Sequence, residues 1–322
     1  MKTHQHFVIA TRLVIVVALT LFTLTGIASA QNRRAPVPDV SAEQIRGIFF
    51  ENLSDAFQGE RPTLSSIRSA SKAAQTTAIA NQSKSNSGGD SGSDLWTTLI
   101  SAASIEDEIK QVRLRYDALI TTPGRFNSGG YLSARLELTI LATLFGVIAE
   151  YGEQVRWKSH ADAARDLLGR TASNCKAGST QVYNEAKLRK GDLRDLVSGT
   201  GLAGRRGEPT EDWSGVADRS PLMEYAEMLI EKLEDDGRDA KTIQSNQSDI
   251  RRRAELLAML GHVLTKDGID GSGDEDYDEL SHSMSDAARN VVMALERTDF
   301  ENVRQGISTI RSRCDACHAE YR

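Results

Sequence analysis

Towards the end of the chain, apolar side chains recur in alternating steps of three and four: Phe300, Val303, Ile307, Ile310, Cys314, Cys317 and Tyr321. That rhythm is the seam of an α-helix with one stripe turned to neighbouring helices, so this end of the chain has to pack into a helical layer. The stretch before it repeats the pattern with Tyr277, Leu280, Met284, Ala287, Val291 and Ala294. With two earlier stretches, the spacing predicts helices at about 218–236, 249–266, 275–297 and 299–321. Short connections between such helices favour an antiparallel four-helix bundle. Ala, Leu, Glu and Arg dominate the second half and the whole chain has only 6 prolines, which suits an all-α fold.

The same organisation is legible earlier in the chain. Trp96 pairs with Trp213 at an offset of 117, residues 141–148 (LATLFGVI) with 257–264 (LAMLGHVL) at 116, and 162–165 (DAAR) with 286–289 (DAAR) at 124. Matches in one order at nearly constant spacing read as a duplication, the alternative being chance similarity between Ala- and Leu-rich helices. The eight additional residues of the second copy are expected in the acidic, Gly-rich loop 267–276, where an insertion costs little. The chain is thus expected to hold a degenerate helical bundle copy over 95–205 and a complete bundle over 213–322.

Two of the seam positions carry chemistry. Residues 314–318 read C-D-A-C-H, and C-x-x-C-H is the attachment sequence for c-type haem. Cys314 and Cys317 lie three apart on one helical face, so both sulfurs can reach the two vinyl groups along one haem edge. His318, four beyond Cys314, can place its imidazole under the iron as an axial ligand. A redox disulfide of the C-x-x-C kind belongs at a helix start beside a βαβ pattern, and none is present. A structural zinc site wants four ligands, and the only other cysteine is Cys175. One covalent haem c is therefore expected, seated between helices because both cysteines face inward.

The segment C314-D-A-C317-H318-A-E-Y321-R322, closing the last helix of a bundle, resembles the cytochrome c prime family, over about residues 213–322. The resemblance implies a high-spin haem with His318 as proximal ligand and an open distal side that takes nitric oxide or carbon monoxide. Relatives in the same bundle class use a Met on the first helix as sixth ligand and carry electrons. Residues 219–223 (RSPLM) look like the R-x-x-x-M at the start of that family's first helix. This makes Met223 the candidate for the distal haem face, the other reading being a core methionine. The first copy departs from the family pattern: residues 190–194 (KGDLR) stand where the motif would fall, and Glu106 stands where the offset places Met223. That copy is expected to bind no haem. Since the family commonly forms homodimers, it is expected to pack on the haem copy as an internal pseudo-partner.

The remaining features set the context. Lys2, Arg12, an apolar run over 13–28 and Ala28-Ser29-Ala30 follow the order of a cleaved secretory signal over 1–30, which places the mature protein in the periplasm. A helical segment over 31–80 and a Ser/Gly linker over 81–94 (ending NQSKSNSGGDSGSD) follow. No later stretch is expected to be long and apolar enough to cross a membrane. Loss of the signal takes the net charge from −6 to −8, which excludes nucleic acid as a partner. Cys175 reads as a small buried residue. His262, the run Arg251 to Arg253 and the faintly calcium-loop-like 270–276 (DGSGDED) are weaker candidates beside the haem motif. No catalytic grouping stands out. The expected function is haem binding and electron transfer to a periplasmic redox partner, without enzymatic activity. The alternatives are trapping or sensing of nitric oxide or carbon monoxide, and a structural helical protein that binds partners.

Overall fold

Five of the helix starts among the described residues are closed by a Ser or Asp side chain that accepts from the first turn, the arrangement that satisfies otherwise orphaned backbone N–H groups. The computed structural model describes residues 93–202 and 204–321, all within one compact unit, Ser87–Arg322. The expected signal, the 31–80 segment and nearly all of the linker lie outside the described residues. The linker's last two residues, Ser93 and Asp94, already belong to the first helix.

Among the described residues there are helices and no strands. They run α1 (Ser93–Leu99), α2 (Ala102–Leu119), α3 (Tyr131–Glu150), α4 (Ala161–Asn174) and α5 (Thr180–Ser198). Then come α6 (Arg219–Asp236), α7 (Ala240–Ser245), α8 (Gln247–Val263), α9 (Glu275–Glu296) and α10 (Phe300–Glu320). Ser101 caps α2 through Ser104 N at 3.3 Å, Asp239 caps α7 through Thr242 N at 2.8 Å, and Asp299 caps α10 through Asn302 N at 3.2 Å. The short α7 was not anticipated, because one turn leaves no periodicity to read.

Two sets of four helices repeat the same order. In the first, α2, α3, α4 and α5 each pack on the next and α5 returns to α2; in the second, α6, α8, α9 and α10 do the same. Both α2 and α6 have 18 residues. The expected loop insertion is corrected: α9 has 22 residues against 14 for α4, so the eight extra residues lengthen the helix. Glu275, Asp276 and Asp278 sit in the first turn of α9, where the helix dipole favours acidic side chains.

The two sets share one core, and residues at the repeat offset meet each other across it. Trp96 and Trp213 both donate from Nε1 to Glu150, at 2.9 Å to Oε2 and 3.3 Å to Oε1. Lys266 donates to the same carboxylate at 2.6 Å, with its ammonium 5.3 Å and 5.6 Å from the two indole centroids. Glu108 faces Tyr225, its counterpart 117 residues on; burial and then the Glu108 carboxylate push the Tyr225 phenol well above its ordinary pKa. Ser101 and Asp218, also counterparts, each reach the other set. Ser101 Oγ donates to Glu255 of α8 at 2.8 Å, and Asp218 accepts from Arg135 of α3 at 2.5 Å. Position-to-counterpart contact is the signature of a two-fold, isologous interface.

Helix α3 packs on α2, α4 and α6 and is buried through most of its length. This corrects one sequence expectation. The stretch Pro123–Glu150 is long and apolar enough by composition to cross a membrane, although 78% of its apolar window is buried inside the structure. A helix that is apolar all round is what a position between two packed layers demands.

Lys266→Glu should test the interface directly. Two carboxylates would then face each other between the indoles, and the protein should lose about 2–3 kcal/mol in denaturant titration, discounted for the partial exposure of the pair. The exchange Glu150→Lys with Lys266→Glu should recover part of that loss.

Candidate haem site

The site is built where α10 runs past the start of α6. Arg311 fixes the register: it donates to Glu227 at 2.9 and 3.0 Å and to Glu234 at 2.9 and 3.1 Å, two acidic residues nearly two turns apart on α6. Cys314 lies three residues after Arg311 and Met223 four before Glu227, so the clamp sets these two side chains opposite each other. Both line one cleft, together with Ala226, Glu227, Leu264, Leu280, Ser281, Met284, Arg313, Cys317 and His318. The cleft is narrow, with a free volume of about 30 Å³. Every site residue expected from sequence, namely Cys314, Cys317, His318 and Met223, is on its wall.

The seam explains the opening. Val303, Ile307 and Ile310 are buried, whereas Cys314, Cys317 and Tyr321 on the same stripe are half-buried. The apolar stripe therefore runs out from the core into the cleft wall. The far end of α10 is held by Tyr321, whose hydroxyl donates to Asp274 at 2.7 Å and whose ring meets Tyr277 edge-on at 5.3 Å. Arg219 at the start of α6 pairs with Asp270 at 3.0 Å, which ties down the loop beneath.

The thiols are free of disulfide. Burial pushes Cys314 up to about 11 and raises Cys317 as well. A redox C-x-x-C pair works through a lowered thiol pKa at a helix start. These cysteines have the opposite electrostatics, near the C-terminal end of α10. The donor set suits a c-type haem: two thiols on one face, an imidazole one residue on, and apolar walls of Met223, Ala226, Leu264, Leu280 and Met284. In addition, the buried Ser281 Oγ has no hydrogen-bond partner.

The corresponding stretch of the first set has other uses for its side chains. Lys190 donates to the carbonyls of Asp117 and Ile120 at 2.7 and 3.2 Å, Leu193 is fully buried, and Asp192 pairs with Arg189 at 2.8 Å. Glu106 lies 3.9 Å from Lys110. Nothing there offers a thiol or an imidazole.

The weaker candidates resolve into structure. Arg251 pairs with Glu296 and Glu255, Arg252 with Asp249 and Glu108, and Arg253 with Asp236, so the arginine run spends its charge on ion pairs away from the cleft. In the acidic loop, Asp274 caps α9 and Asp270 holds Arg219. Among the described residues, no three His, Cys, Asp or Glu side chains converge to hold a metal ion. Cys175 is fully buried, and burial pushes it up to about 12. His262 faces His282, ring centroids 4.5 Å apart, and is not on the cleft wall. Sequence reading missed Ser281, Leu264, Glu227 and Arg313 as wall residues. Of these, only the three-and-four spacing that carries Leu280 and Met284 hinted at a neighbour.

Comparison of the chain with known protein families, with curated proteins and with solved structures finds no match.

The histidine pair gives a pH dependence. Burial, then the His282 ring, lower His262 to about 4; Asp286 opposes this, while Arg289 and Lys266 add to it. A depressed folded pKa means that the unfolded chain takes up the proton first. The stability contributed by neutral His262 is therefore complete above about pH 6.5 and is lost as pH falls from there towards about 4. Melting temperatures of wild type and His262→Gln should diverge in slope across that window and run parallel above pH 7.

Proposed function

We propose that this chain is an exported c-type cytochrome in which residues 213–322 form an antiparallel four-helix bundle carrying one haem, in the manner of the cytochrome c prime family. What carries the reading is that Met223, from the far end of the sequence pattern, lines the same cleft as Cys314, Cys317 and His318. A motif match alone would leave that coincidence unexplained.

In this reading Cys314 and Cys317 would hold a haem through two thioethers, and His318 would give a ring nitrogen to its iron. When bound, the haem supplies a one-electron couple and an iron that can take a further ligand. The protein's part is positional. The Arg311 clamp holds α10 against α6, Tyr321 and Asp274 hold the end of α10, and the apolar wall excludes water from the macrocycle. Exposed Arg313 at the rim is placed to balance a haem carboxylate. Electron transfer with a periplasmic redox partner is the function this arrangement serves. Binding of a diatomic gas is the second reading, favoured by the unpartnered hydroxyl in the wall.

The haem-less set acts, in the same reading, as an internal partner that replaces the second subunit of a homodimer. Removal of residues 95–205 should expose the Tyr225 and Trp213 faces. The remaining bundle should then associate or unfold at concentrations where the whole chain is monomeric, as read by light scattering. A stable monomer would remove this role.

For the haem itself, the purified exported protein should carry a covalent haem by mass, and Cys314→Ala with Cys317→Ala should abolish it. Reduced-state spectra and carbon monoxide titration of wild type and Met223→Leu should differ. Identical spectra and identical titrations would eliminate a distal role for Met223.

A further inference from the structure

Three serines of α9 lie close together, and two are hydrogen-bonded as helical or buried serines usually are. Ser283 turns its hydroxyl back to the Leu280 carbonyl at 2.7 Å, and Ser285 donates across to the Ala258 carbonyl of α8 at 2.8 Å. Ser281 does neither. It is 3% exposed, its Oγ has no hydrogen-bond partner, and it lines the cleft with Met223, Cys314, Cys317 and His318.

The backbone of Ser281 lies close against α8. A Cβ at Gly261 of α8 would lie 2.6 Å from the Ser281 carbonyl oxygen and 2.8 Å from the Ser285 Cβ, so the two helices are in near-backbone contact at this level. A buried hydroxyl without a partner is costly and rare in native structures. Its natural acceptor is a molecule that enters the cleft.

The remaining polar wall groups narrow the choice. Glu227 is engaged by Arg311, and Arg313 is exposed at the rim. A haem carboxylate is charged and belongs at the solvent side with Arg313, since burying it against a single neutral hydroxyl would leave it poorly compensated. What suits a buried neutral donor is a small neutral ligand with an acceptor atom. We propose that Ser281 donates a hydrogen bond to a diatomic gas held at the iron, and that it sets which gases the site retains. This rests on the haem reading above.

The test uses the full-length, haem-loaded protein in the ferrous state, with carbon monoxide as the probe. Infrared C–O stretching frequency and the dissociation rate are measured for wild type, Ser281→Ala and Ser281→Thr, each with and without Met223→Leu. Loss of the donor in Ser281→Ala should raise the stretching frequency and speed dissociation about fivefold, the effect of one neutral hydrogen bond. Ser281→Thr, which keeps the hydroxyl, should stay near wild type. Equal frequency and rate in wild type and Ser281→Ala would overturn the proposal. So would a fall in melting temperature of the gas-free protein on Ser281→Ala, since it would show that the hydroxyl already has a partner within the fold. Failure of covalent haem attachment would instead defeat the haem reading itself. Attached haem that takes no carbon monoxide, even with Met223→Leu, would defeat the Ser281 proposal alone.

Discussion

The ion pair between Glu150 and Lys266, lying between the indoles of Trp96 and Trp213, is the contact on which the arrangement of the two helix sets depends. Around a true two-fold axis each position meets its own copy, so an acidic residue there would face an acidic residue. Here the positions are joined in one chain and have diverged into opposite charges. The carboxylate accepts from both indoles and from the ammonium, so its lone pairs are satisfied. The ammonium sits over two aromatic faces that attract cations. The same divergence shows at Glu108 and Tyr225, where two buried carboxylates would have met.

That asymmetry makes sense of a chain with two bundle-like sets and one chemical motif. Once the copies are covalently joined, each is free to specialise. The first keeps the packing surface: α3 is apolar on nearly all sides, and residues 190–193 are given over to carbonyl contacts, an ion pair and a buried leucine. The second keeps a cleft, and the cost of an incomplete core there is carried by the shared interface. In this view the first set supports the cleft without lining it.

Much of this was legible in the sequence because periodicity and capping are local. The helices expected at 218–236, 275–297 and 299–321 match α6, α9 and α10 to within a residue at each end. The matched segments that revealed the repeat also hold Trp96 and Trp213, which meet at the centre. What was not legible is depth. Ile310 and Cys314 occupy equivalent steps of one stripe, yet one is buried and the other lines an opening. Cys314 faces a cleft also walled by Met223 of α6 and Leu280 of α9, and spacing along a single helix carries no record of its neighbours. Ser281 was invisible because a serine on a helix is ordinary until its partners are counted.

The position of the cleft follows from the clamp. Arg311 binds two carboxylates that are seven residues apart on α6, so it resists sliding of α10 along α6 as well as rotation about its own axis. One turn further on, the buried Ile307 and Ile310 give way to the half-buried Cys314 and Cys317, with Cys314 Sγ 3.9 Å from Met284 Sδ. The clamp therefore sits directly beside the stretch of α10 that lines the cleft. Substituting larger apolar residues for the cysteines would complete the core by filling this space. The retention of two small thiols beside an imidazole therefore fits a wall shaped for something outside the chain to occupy.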